Sequence, residues 1–252
     1  FFKRMNARLN LDHTVNDRLL IGTNLSISKT RNRRSFNDNT YTGIITNAIG
    51  ASPLMPVYDE DGNYAKFEDY QANWLSDNPV KSAKEIQGYT TSYRFLGSVF
   101  AEYKITQDLK FKTTFNTDYT SVEDQLYLSA LTTDAEAVGG KAFVGNFRNV
   151  TWLNENTLNY QKSFGNHNLG VLAGFSQQES KIDRSSISAQ GFPPGSGLTN
   201  ISSAALITGA AQNGTSWRLH SYLGRVNYDY DGKYLASIAF RADGSSRFAK
   251  GN

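Results

Sequence analysis

Residues 3–15 read Lys3-Arg4-Met5-Asn6-Ala7-Arg8-Leu9-Asn10-Leu11-Asp12-His13-Thr14-Val15. Taken in alternation, one set is Lys3, Met5, Ala7, Leu9, Leu11, His13 and Val15. The other is Arg4, Asn6, Arg8, Asn10, Asp12 and Thr14. This period of two over more than ten residues describes a strand with one apolar and one polar face, longer than the usual strand of about five or six residues. It breaks at the turn signal Asn16-Asp17. It resumes with Leu19, Ile21, Thr23, Leu25 and Ile27 against Leu20, Gly22, Asn24, Ser26 and Ser28, so the pair predicts a long hairpin.

Three more pairs follow. Tyr93, Phe95, Gly97, Val99, Ala101, Tyr103 and Ile105 lead through Thr106-Gln107-Asp108 into Leu109, Phe111, Thr113, Phe115, Thr117 and Tyr119. The segment 147–161 is less regular, with Val150, Trp152, Leu158 and Tyr160 on one face, and turns at Gly165-Asn166-His167-Asn168 into Leu169, Val171, Ala173 and Phe175. Last, Tyr222, Gly224, Val226, Tyr228 and Tyr230 turn at Asp231-Gly232 into Tyr234, Ala236, Ile238, Phe240 and Ala242. The expectation is an all-β chain of about eight long strands in four hairpins.

Composition agrees. The 252 residues are 39% hydrophobic and 19% charged, below the roughly 45–50% and 25% of average domains. The difference is made up by Asn, Ser, Thr, Gly and Tyr, which favour strands and turns. No apolar run reaches the length of a membrane helix. The absence of Cys excludes disulfides and thiolate metal sites, and a net charge of +3 is too mild to imply nucleic acid.

Two architectures bury such strands. In a soluble β-sandwich, a glycan-binding or adhesin domain for instance, the apolar faces pack on each other. In an antiparallel transmembrane β-barrel they meet lipid and the polar faces line the interior. Three features favour the barrel. The strands are long enough to cross a bilayer at a tilt, and Tyr recurs near their ends, as an interfacial girdle requires. Connections also alternate between tight (16–18, 106–108, 164–168, 229–233) and long (31–92, 122–146, 181–216), the asymmetry of short periplasmic turns and long extracellular loops.

The stretch Ser221-Tyr222-Leu223-Gly224-Arg225-Val226-Asn227-Tyr228-Asp229-Tyr230, then Lys233-Tyr234-Leu235 and Arg241-Ala242-Asp243-Gly244-Ser245-Ser246-Arg247-Phe248, resembles the SusC/RagA family of TonB-dependent outer-membrane transporters. The opening Asn6-Ala7-Arg8-Leu9-Asn10-Leu11-Asp12 and the run from Pro53 to Tyr64 are similar to it too. The resemblance implies a plugged barrel of roughly 22 strands, a TonB-contacting segment, a SusD-like surface lipoprotein partner, and oligosaccharide or peptide substrates. Residues 1–252 are then expected to be part of the barrel domain of a larger transporter, with plug domain, signal peptide and remaining strands absent from them. A passive porin-like barrel, needing neither plug nor TonB, fits the motif less well.

Little in the chain points to catalysis. His13, His167 and His220 lack close ligand spacing, there is no Gly-x-Ser-x-Gly elbow, and Gly139-Gly140-Lys141 lacks the upstream Gly of a phosphate loop. The expectation is a protein that is not an enzyme and needs no cofactor. Asp59-Glu60-Asp61-Gly62-Asn63 has the carboxylate density of a calcium loop, but lacks a distal Glu and reads better as a two-residue Asp-Gly hairpin turn. The 31–92 connection carries Tyr41, Tyr58, Tyr64, Phe67, Tyr70 and Trp74, either as a ligand or partner surface or as packing of the loop on itself. Lys29, Arg31, Arg33 and Arg34 form a basic cluster where the second strand leaves the apolar band. It reads either as a solvated loop base or as an outer-rim contact with anionic lipid headgroups. The polar ladder Arg8, Asn10, Asp12, Asn24, Lys112, Asn116 and Asp118 is expected to face water or a plug.

Overall fold

The computed structural model describes residues 1–35, 43–70 and 77–248. All eight expected strands are present: β1 (Phe2–Asn16), β2 (Leu19–Arg34), β3 (Ile86–Lys104), β4 (Leu109–Leu128), β5 (Lys141–Phe164), β6 (His167–Gln190), β7 (Leu206–Tyr230) and β8 (Tyr234–Ser245). They form one antiparallel sheet in sequence order, so every strand pairs with its chain neighbours. No second sheet among the described residues covers the apolar face, which removes the packing that a sandwich requires.

Side-chain chemistry and turn chemistry fix the register together. Leu11, Thr23, Val99 and Phe115 align across β1–β4, and the next row on the same face joins Leu9 to Leu25. On the other face Asn10, Asn24, Ser98 and Asn116 share a row. A slip of one residue would exchange the two sets. The polar face hollows into a groove of about 640 Å³ lined by Arg8, Asn10, Asn24, Ser98, Asn116 and Asp118. The apolar face stays open, with Leu9 53%, Ile27 55%, Val99 49% and Phe115 45% exposed. In the irregular segment Val150, Trp152, Leu158 and Tyr160 do share the apolar face. Asn154 and Asn156 lie between them, bonded to each other at 2.7 Å.

The tight turns use the residues their geometry demands. The side chain of Asn16 accepts from the amides of Arg18 and Leu19, both at 2.9 Å, and Asp231 and Gly232 both take positive φ, which Asp-Gly tolerates. Val15, expected in the apolar row of β1, is instead the residue left over at a register shift between Thr14 and Asn16.

At the opposite end the connections are shorter than the hydrophobic pattern suggests: 35–85, 129–140 and 191–205. The strands continue past the apolar band on mostly polar residues, as in β6 from Gln177 to Gln190, where Ile182, Ile187 and Ala189 are the apolar exceptions. The backbone ladder needs no hydrophobic alternation where both faces meet water. Two short helices, α1 (Ile44–Gly50) and α2 (Pro79–Glu85), lie in the first of these connections.

Aromatic rows bound the apolar band. Near the tight turns, Tyr103 faces Phe111, while Phe164, His167, Tyr230 and Tyr234 form a chain of ring contacts at 4.8–6.3 Å. Near the long connections stand Tyr93 and Tyr119, and deeper in the band Phe115 stacks on Trp152 at 6.3 Å. Tyr93 and Tyr103 are about ten residues apart on β3, roughly 33 Å along the strand and about 25 Å along the normal at a barrel tilt near 40°. That is the height of the apolar belt of outer-membrane barrels.

Candidate functional site

The three long connections pack into one cap. Within 35–85, Tyr58 and Tyr64 pair as a β-bridge with their rings 5.3 Å apart. The Asp59 amide donates to the Asn63 carbonyl at 2.8 Å and that of Gly62 to the Asp59 carbonyl at 3.1 Å, with Gly62 at φ +83°. This is a three-residue turn with glycine in the left-handed position, not the two-residue Asp-Gly turn expected from the sequence. Asp59 accepts the Asn63 amide at 2.7 Å and its side-chain nitrogen at 3.4 Å. Among the described residues no group of three or more His, Cys, Asp or Glu side chains converges as a metal site would.

Asn78 holds this hairpin to α2. Its Oδ1 caps the helix by accepting from the Val80 and Lys81 amides, while its Nδ2 donates to the carbonyls of Val57 at 3.0 Å and Ala65 at 3.2 Å. Pro79 occupies the first helical turn, where its missing N–H costs nothing. Lys84 Nζ donates to the Tyr58 hydroxyl at 2.8 Å, and the Tyr64 hydroxyl donates to Glu85 Oε1 at 3.0 Å.

Asp77 ties this connection to 129–140. Its carboxylate accepts from the Thr133 hydroxyl at 2.7 Å and the Thr133 amide at 3.1 Å, and it pairs with Lys81. The 191–205 connection joins through the amides of Gly191 and Phe192, which donate to the carbonyls of Gly140 and Gly139, and through the edge contact of Phe192 with Tyr127 at 5.1 Å.

The candidate aromatic residues therefore divide. Phe67 is 4% exposed and belongs to the core of the cap, so it is not a contact surface. Tyr64 and Tyr70 are half-buried, and Tyr58 is 42% exposed. Trp74 and Tyr41 lie outside the described residues. Asp77 and Thr133, which tie two connections of the cap together, have no motif of their own in the sequence.

Burial, and then the hydrogen bond to Glu85, push the Tyr64 hydroxyl up to about 12. A tyrosine whose folded value is raised stabilises the fold below its unfolded value near 10, and that contribution is lost as pH rises through about 12. The difference in absorbance at tyrosinate wavelengths between wild type and Tyr64→Phe should therefore titrate near 12, whereas a midpoint near 10 would show that Tyr64 is neither buried nor bonded to Glu85.

The basic cluster also divides. Arg34 points to the polar face, where it pairs with Asp124 at 3.5 Å. Lys29, Arg31 and Arg33 sit on the opposite face, at and above the row of Tyr93. Lys29 lies over the Tyr93 ring at 4.9 Å and Arg31 over that of Tyr89 at 5.0 Å, while Arg33 Nη2 donates to the Ala83 carbonyl at 2.9 Å. Sequence parity alone separates 29, 31 and 33 from 34, so this split was readable in the strand period.

The polar face is laced with ion pairs and hydrogen bonds. Arg94 grips Asp118 through Nε at 3.1 Å and Nη2 at 2.8 Å, Lys110 pairs with Glu102 at 3.8 Å, and Lys112 lies 4.6 Å above the Phe100 ring. Gly22 makes room for that ring, since a Cβ there would come within 2.3 Å of it. Such a surface suits water or a polar plug. The arrangement offers binding and hydration chemistry.

Comparison with known proteins agrees with this geometry. No protein-family profile matches the chain. Two TonB-dependent receptors of Formosa agariphila are each 29% identical to it, covering 97% and 99% of the chain and 24% and 25% of their own lengths. The TonB-dependent receptor SusC of Bacteroides thetaiotaomicron is 24% identical, over 100% of the chain and 26% of its own length. Among solved structures, the RagAB peptide transporter superposes on the whole chain with a TM-score of 0.81 at 23% identity, using 29% of the matched chain. The RagAB peptide importer in its closed-closed state gives 0.82 at 23% identity, over 100% of this chain and 28% of the matched one. The chain spans about a quarter of the length of the curated relatives it matches. Its fold is that of a TonB-dependent receptor barrel, and the resemblance to the SusC/RagA family holds in sequence and in structure.

Proposed function

We propose that this chain, a stretch similar in sequence and fold to TonB-dependent receptors of the SusC/RagA kind, forms barrel wall and outer loops of a transporter importing nutrients across the bacterial outer membrane. The observation that carries the reading is the single sheet with one open apolar face about 25 Å tall between aromatic rows, a form that lipid stabilises and water does not. In this reading the cap over the long connections faces outward, where a SusD-like lipoprotein would close over captured substrate. The polar face is turned to a plug, and energy delivered through TonB opens a path along it. Oligosaccharides and peptides are the substrate classes, and Tyr58, Tyr64 and Tyr70 are the candidate contacts from this part of the wall. The wall itself performs no bond chemistry. It excludes lipid, hydrates the path and positions the cap.

The test uses the full-length receptor in its native membrane. Single cysteines at Leu9, Leu25 and Phe115 are expected to react with a lipid-phase label, while cysteines at Arg8 and Asn24 are protected from it. Uptake of labelled oligosaccharide or peptide by the same cells is expected to vanish on removal of TonB. Protection of Leu9, Leu25 and Phe115 would end the barrel reading, and uptake indifferent to TonB would leave a passive porin in its place.

A further inference from the structure

We propose that Lys3, Lys29, Arg31 and Arg33 form a binding ladder for the phosphate groups of an outer-leaflet lipid. The inference rests on the membrane orientation proposed above and adds a site to it. The ladder begins where the apolar band ends: Ile27 is the last apolar residue of that face on β2, and Lys29, level with Tyr93, is the next. Successive members of the β2 row stand about 6.6 Å apart, a spacing that lets one headgroup or two adjacent ones bridge them.

The same level of the wall is built differently elsewhere. On β5–β7 two cations of this face sit directly opposite carboxylates, Arg148 facing Asp183 at 2.8 Å and Arg218 facing Glu179 at 3.1 Å, while a third, Lys181, stands opposite the neutral Val150 and Ser216. On β1–β2 two cations, Lys3 and Arg31, face each other across the strands, and among the described residues neither has a carboxylate within ion-pair distance. Like charges directly opposite destabilise a sheet. The acid of this face closest in the row, Glu123, is two strands away from Arg31 and is bonded by Gln125. An unneutralised pair of cations at the upper edge of an apolar band is complementary to an anion delivered by the membrane.

The side chains are also set for phosphate. Tyr93 and Tyr89 lie under Lys29 and Arg31, and the Ala83 carbonyl fixes the Arg33 guanidinium. Planar guanidinium groups bind phosphate through paired N–H donors. The tyrosines supply the amphipathic surface found at headgroup depth.

The proposal is tested on the detergent-purified full-length receptor by native mass spectrometry, with diphosphoryl lipid A as the probe. Each variant is first shown to keep the wild-type thermal midpoint. Lys29→Gln/Arg31→Gln/Arg33→Gln should retain on the order of tenfold less lipid A, and Arg31→Gln alone about threefold less. The single variant carries the test where the triple one misfolds. Arg34→Gln, one position along on the opposite face, should bind as wild type, and dephosphorylated lipid should bind wild type no better than it binds the triple variant. Wild-type retention by Arg31→Gln and the triple variant overturns the proposal. So does loss in Arg34→Gln equal to that in Arg31→Gln, and so does equal displacement by inorganic phosphate, which would mark a site for the free anion. Lipid-phase labelling at Leu9 and Leu25 separates the two readings: if it persists while lipid A binding ignores the ladder, only the ladder falls.

Discussion

Replacing Asp77 with Ala is expected to loosen the outer cap by about 3–5 kcal/mol while the strands beneath keep their order. The side chain of Asp77 is 2% exposed and that of its partner Lys81 16%. Removing the carboxylate therefore leaves a largely buried ammonium without a counter-charge. It also strips the acceptor from the Thr133 amide and hydroxyl, each of which then bears its desolvation cost unmatched. The loss is local, because Asp77 joins two connections and touches no strand pairing. Hydrogen exchange on the full-length receptor should show faster exchange in 43–70, 77–85 and 129–140 with β3 and β4 unchanged. Asp77→Ala/Lys81→Met should recover part of the protection, since the second change removes the stranded charge. Unaltered exchange in the cap of Asp77→Ala would mean that the three connections are held by their apolar contacts, Phe67 and Phe192 foremost. If substrate capture depends on a preassembled cap, the same variant should bind substrate more weakly without any change at a contacting residue.

How much of this was legible in the sequence follows from what each feature depends on. The two faces of β1–β4 come from a period of two and tight turns, both local, so Leu11, Val99 and Phe115 could be placed together from their alternation alone. The outer ends of β5–β7 were hidden because the alternation stops where both faces are wet, although the backbone ladder runs on to Gln190. Helix α2 carried a readable start in Asn78-Pro79, a capping side chain followed by proline, inside a connection that otherwise has the composition of a loop. The tie between Asp77 and Thr133 spans 56 residues, and no local pattern encodes it. The aromatic residues of the cap show the same limit. Tyr58 and Phe67 look alike in sequence, and only the fold separates a half-open ring from a core one.

The facing of the wall yields the second large effect. Val99 lies midway between the aromatic rows on the apolar face, beside Thr23 and Phe115, and is 49% exposed. Ser98, its neighbour in the chain, faces the polar groove between Asn24 and Asn116. If lipid covers the apolar face, Val99→Arg places a guanidinium at the depth where it is least solvated and costs about 2–4 kcal/mol, while Ser98→Arg enters a hydrated interior and changes stability by about 0.5 kcal/mol or less. Urea unfolding of the full-length receptor in lipid vesicles measures both. The contrast matters more than either value, since the two positions share a strand, a depth and a backbone environment and differ only in the face they occupy. Equal small costs would mean that water wets both faces, and no barrel reading survives that result. A cost at Ser98 with none at Val99 would turn the sheet inside out: the apolar rows would line the interior, and the Lys29–Arg31–Arg33 ladder would point at the plug instead of the membrane.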